Sequence, residues 1–135
     1  MNDFESGLTW VRGDEMCSLA SSIAQQGYRV YSIITADGSG RAAFFNAVRA
    51  ALQLDPPVVS SRSLDALSDS LWGGIYSTDD QKIAIIWEDS SRFFEGSPEE
   101  FEDACSVLAE VAESLADRTF TAGQPKQVRV FVSRE

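Results

Sequence analysis

The run Ile83-Ala84-Ile85-Ile86-Trp87 constrains this chain more than any other segment, because five consecutive apolar residues leave no side of the backbone suited to water. Entered by Lys82 and left through Glu88-Asp89-Ser90, it fits a strand inside a sheet covered on both faces. Tyr28 to Thr35, rich in aromatic and β-branched residues, reads as a second buried strand closed by the turn Asp37-Gly38-Ser39-Gly40. Val128-Arg129-Val130-Phe131-Val132 reads as a third, with Arg129 at an edge.

Helical patterns separate these strands. Asp14 to Gln26 places Met16, Leu19, Ala20, Ile23 and Ala24 on one face and stops at Gly27. Arg41 to Leu52 does the same with Phe44, Phe45, Val48, Ala51 and Leu52, before Asp55-Pro56-Pro57 ends it. Ser97-Pro98-Glu99-Glu100 opens a long helix to about Asp117, with Ser97 as cap and Glu100 at the third position of a capping box. A shorter helix follows the loop Val58-Val59-Ser60: Ser61 or Ser63 caps it, Leu64, Leu67 and Leu71 form an i, i+3, i+7 stripe, and Gly73-Gly74 ends it. The order α, β, α, α, β, α, β favours right-handed crossovers, so the expected fold is α/β, a three-stranded parallel sheet flanked by helices.

Charge narrows the partners. The 135 residues carry a net charge of −10, and the stretch from Asp55 to Asp117 alone carries −12, with fifteen Asp and Glu against Arg62, Lys82 and Arg92. Nucleic acid and anionic membrane both demand a positive footprint, so neither is expected as a direct ligand; a cationic protein is. Solubility alone also favours acidic chains, but the clustering points to an electrostatic face. Within the cluster Asp65 and Asp69 lie one turn apart on the short helix, repelling each other with no Lys or Arg partner at helical spacing.

Catalytic chemistry is sparse. With no histidine, serine-histidine and cysteine-histidine nucleophile systems are excluded. The Asp37 to Arg41 loop lacks the spacing and lysine of a phosphate loop and reads as an ordinary turn. An i, i+4 carboxylate pair projects both groups the same way, unlike the flanking pair of a glycosidase, and two carboxylates on a solvated helix without a third nearby ligand are usually just solvated, so no metal is expected at Asp65 and Asp69. Cys17 and Cys105 read as reduced thiols, and no apolar run reaches a membrane span, which places the expected site of action in the cytoplasm. No cofactor is expected.

The pattern Leu64-Asp65-Ala66-Leu67-Ser68-Asp69-Ser70-Leu71-Trp72-Gly73, followed by Ile83 to Trp87 and a long acidic helix, resembles the barstar family of ribonuclease inhibitors. The likeness runs from about Tyr31 to Val132 and implies one barstar-like domain over 1–135, with residues 1–27 as an N-terminal helical extension. It also implies an intracellular protein, monomeric when free, that plugs the active site of a secreted barnase-like or guanyl-specific ribonuclease in a 1:1 complex. By that resemblance Asp69 imitates an RNA phosphate in the enzyme's basic cleft and Asp65 meets an arginine at its edge. An ungapped match through Ser106-Val107-Leu108 adds Glu113, with Glu102, Glu110 and Asp117 as competitors on the same helix. Charge steering of encounter, for which the barnase and barstar pair is the standard case, then favours rapid association.

The chain departs from the family where aromatic residues and a glycine are usual before the motif: it has Val58-Val59-Ser60-Ser61, with Ser63 in place of an asparagine. Ser68 stands where an aromatic residue separates the two acids. The expected partner-binding set is therefore Asp65, Asp69, Ser68, Trp72, Glu113, Val59 and Ser61, with Trp72 readable either as a substitute aromatic anchor or as core. Two alternatives remain at this stage, an acidic immunity module for another cationic toxin and a small carboxylate-dependent hydrolase.

Overall fold

A computed structural model describes residues 8–36, 38, 40–58 and 63–134. Four strands, all parallel, form one sheet in the order β1-β4-β3-β2: β1 is Leu8–Trp10, β2 Arg29–Ile33, β3 Lys82–Trp87 and β4 Gln127–Val132. The expected count of three is corrected by β1, which pairs Leu8 with Val130 and Trp10 with Val132. Three residues are too short to show an alternating pattern, and what makes them a strand is the open edge of β4. Arg129 is consequently on an interior strand, not an edge, and its guanidinium lies over the rings of Phe131 at 4.8 Å and Tyr28 at 5.9 Å.

Every side chain of β3 from Ile83 to Trp87 is buried, and period two divides them between the faces. Ile83, Ile85 and Trp87 join Ile33, Val128, Val130 and Val132 in the larger core, beneath α2 (Gly40–Ala51), α3 (Leu64–Tyr76), α4 (Ser90–Gly96) and α5 (Pro98–Leu115). Ala84, Ile86 and Phe131 face the other way, onto Met16, Ile23 and Tyr28 at α1 (Met16–Gln25). Trp87 sits among Phe44, Phe93 and Phe101 with ring centroids 5.1, 5.1 and 5.5 Å away, and is a packing residue.

Two local expectations are redirected by tertiary contacts. Ser97 occupies the N-cap position of α5, yet its Oγ accepts a hydrogen bond from the Gly40 amide (2.9 Å), and Glu100 pairs with Arg41 (3.3 Å). The capping box is not formed because both side chains tie α5 to the start of α2. Glu88-Asp89-Ser90 does not simply leave the sheet: Asp89 accepts from the amide and hydroxyl of Thr35, both at 2.9 Å, and α4 follows at once with Phe93 buried.

α3 does not end at Gly73-Gly74 but continues to Tyr76. The glycines serve close approach, since a Cβ on Gly73 would strike the carbonyl oxygen of Asp55 and one on Gly74 that of Gln53. The preceding chain is thereby laid against α3, and the Asp55 amide donates to the Ser70 carbonyl (3.0 Å). Helix propensity alone makes Gly74→Ala stabilising by about 1 kcal/mol, whereas the collision makes it destabilising by about 1–3 kcal/mol. A lower urea midpoint for the variant is expected; an unchanged or higher one contradicts the packing described.

Candidate functional site

Ser63 fixes where α3 begins, its Oγ accepting from the Ala66 amide (3.1 Å). Leu67, Leu71 and Ile75 are completely buried under the helix, Leu64 packs beside them, and the helix rests on α5. The opposite face turns Asp65 and Asp69 to solvent. Among the described residues, neither forms a salt bridge.

Between α3 and α5 runs a groove of about 740 Å³ lined by Ser68, Asp69, Trp72, Glu110, Val111, Glu113, Ser114, Asp117 and Phe120. Four of these carry carboxylates and none is a cation. Of the competing acids, Glu110 and Glu113 on α5 and Asp117 just beyond its end reach the groove, whereas Glu102 lies on another face of α5 with Trp10 and Arg134. Spacing of three residues puts Glu110 and Glu113 on one side of the helix, a signal present in the sequence. Asp65 is exposed on the same helix as Asp69 but is not among the groove's lining residues.

Ser68 is half-buried and donates its hydroxyl to Glu110 Oε1 (3.2 Å), joining the two walls. Trp72 is only partly buried, packed against the core on one side and lining the groove on the other. Its ring stacks on Tyr76 (centroids 4.8 Å apart, planes 19° apart). Its Nε1 is buried with no hydrogen-bond partner among the described residues. Val59 and Ser61 lie outside the described residues, as do Asp37 and Ser39 of the turn after β2. Phe120, at the groove's end and 63% exposed, was not marked by any periodicity, since it falls in a polar loop.

Among the described residues, no group of three or more His, Cys, Asp or Glu is placed to hold a metal ion, and no helix is long and apolar enough to cross a membrane. What the groove offers is a row of carboxylates on rigid supports, suited to a cationic surface.

The chain matches the barstar (barnase inhibitor) family over residues 28–133, nearly all of the sheet and every groove-lining residue. It belongs to that family. No curated protein and no solved structure matches it. Barstar-family proteins are inhibitors and not enzymes. The match begins at Tyr28, so α1 and β1 precede the barstar region of the chain.

The cysteines stand apart from the groove. Burial pushes the Cys105 thiol up to about 12, with Glu102 adding to the rise and Arg134 opposing it, while Cys17 is exposed on α1. Alkylation of the native protein should modify Cys17 and spare Cys105 until the fold opens. Because the native thiol keeps its proton above pH 9, where the unfolded one loses it, the stability contributed by Cys105 is full below pH 9 and is lost as pH rises towards 12. Replacing Cys105 with Ala should flatten that part of the pH–stability curve, measured by urea unfolding.

Proposed function

We propose that this protein is the intracellular inhibitor of a secreted barnase-like or guanyl-specific ribonuclease, acting in the cytoplasm of the producing cell as a 1:1 complex. The α3–α5 groove occupies the enzyme's cationic active-site cleft, with Asp69 standing in for an RNA phosphate. The observation that carries this reading is the coincidence of two independent facts. The motif acid Asp69 is exposed and free of any salt bridge among the described residues, and Glu110 and Glu113 on α5, with Asp117 just past its end, line the groove beside it. An acid cluster of this kind has few functions within its own fold, since like charges on neighbouring turns destabilise by a few tenths of a kcal/mol each.

Asp65 meets a cation at the cleft edge, consistent with its position outside the groove lining. Ser68, which replaces an aromatic residue between the acids, holds Glu110 in place, and Trp72 supplies apolar contact beside Asp69. Carboxylates carried on packed helices lose little freedom on binding, and their summed field draws a basic enzyme in.

Residual RNA cleavage, measured after mixing the protein with a panel of guanyl-specific ribonucleases, tests the reading directly. Asp69→Ala should weaken inhibition most, by roughly a hundredfold or more, and Asp65→Ala and Glu113→Ala by roughly tenfold. Association should slow as salt rises. Glu99, exposed at the far end of α5 and about 21 Å along the helix axis from Glu113, is the control. If Glu99→Ala costs as much as Asp69→Ala, the charge is general and the site assignment fails.

A further inference from the structure

Phe120 is the most exposed large apolar side chain among the described residues, and a lone exposed apolar residue ordinarily needs no explanation. Two features set this one apart. It stands at the end of the acidic groove, on the same lining as Trp72 and Asp69. Its backbone is also fixed: Asp117 Oδ1 accepts from the amides of Thr119 (2.7 Å) and Phe120 (3.4 Å), and the Asp117 carbonyl from the amide (3.2 Å) and hydroxyl (2.7 Å) of Thr121. The turn then closes through Gly123, whose amide donates to the Arg118 carbonyl (2.8 Å) in a left-handed conformation (φ +82°) that glycine adopts without strain.

The turn is further joined to the opposite wall. Tyr76 on α3 donates its hydroxyl to the Thr121 carbonyl (2.9 Å), and the same Tyr76 ring carries the stacked Trp72. Trp72, Tyr76 and the Phe120 turn are thus one connected unit spanning the groove, with Phe120 outside both apolar cores. Such a residue is held in place without being used by the fold.

Resting on the inhibitor reading above, we infer that Phe120 is a specificity-determining anchor, which flanks the carboxylates from one end of the groove, on the side of Trp72 and Tyr76, and seats against an apolar side chain on the rim of the ribonuclease's cationic cleft. Charge complementarity identifies the occupant, because the groove beside Phe120 is lined by Asp69, Glu110, Glu113 and Asp117 and by no cation, which suits a basic surface. The carboxylates then govern encounter and the rings govern release, since apolar contacts act over short range and are insensitive to salt. Among ribonucleases with equally basic clefts, those with an apolar rim at this point are retained and those with a polar or acidic rim are released.

Binding kinetics against the barnase-type ribonuclease inhibited best in the panel, for the wild type and for Phe120→Ala, Phe120→Leu and Asp69→Ala, test this. Phe120→Ala should raise the dissociation rate roughly tenfold or more at both low and high salt while leaving the association rate within about twofold. Phe120→Leu should recover part of the loss, and Asp69→Ala should instead slow association and reduce its salt dependence. If Phe120→Ala dissociates like the wild type while Asp69→Ala still fails to inhibit, the anchor is wrong and the inhibitor reading stands. If the wild type inhibits no member of the panel, both fall. A loss of melting temperature in Phe120→Ala matching its loss of binding would assign the ring to the fold and overturn the proposal.

Discussion

Packing of the apolar underside of α3 onto α5 is what allows carboxylates to stand together in this protein. Leu67, Leu71 and Ile75 are fully buried there, facing a helix whose own buried row includes Val107, Leu108, Val111 and Leu115. Burial of each such side chain contributes about 1.5–3 kcal/mol, against a few tenths for each repulsion between acids on adjacent turns. The apolar term wins by a wide margin, so the acids can stand together without ion pairs to support the helix. Were α3 held by ion pairs instead, its acids would be consumed in the fold.

The same packing explains why the glycines follow the motif directly. α3 rests on α5 on one side and must accept the chain through Gln53 and Asp55 on another, and Gly73 and Gly74 leave room for those carbonyls. With the preceding segment laid against it, the helix has little freedom to roll about its axis, which would otherwise carry Asp69 away from Glu113. Aim of the acids is therefore set by backbone contacts in which no carboxylate takes part.

Much of this was legible in the sequence where one residue type met one physical demand. The apolar run of β3, the leucine stripe of α3, the cap at Ser63 and the acids Asp65 and Asp69 were each visible because the cause is local or periodic. The misses share a different origin. β1 is a strand only because β4 offers it an edge, Ser97 and Glu100 abandon a local cap for Gly40 and Arg41, and Gly73-Gly74 reads as a stop until the Gln53 and Asp55 carbonyls are in place. Phe120 lies beyond any periodicity, and its place beside Trp72 depends on a turn that doubles back from the end of α5. Sequence spacing reports what a residue does to its neighbours along the chain; these four depend on neighbours across it.

That distinction bears on how the groove works. Ser68 to Glu110 and Tyr76 to Thr121 are two cross-links between its walls among the described residues, one near Asp69 and one beneath the Phe120 turn. Both use uncharged hydroxyl donors, and so neither neutralises an acid of the groove. Because the walls are tied before binding, the entropy of ordering them is already lost in the free protein and is not charged against the complex. A charged tie in either place would hold the walls as well, but it would weaken the negative field of the groove. The choice of hydroxyls over cations at these two points is what reconciles a rigid groove with a strongly negative one.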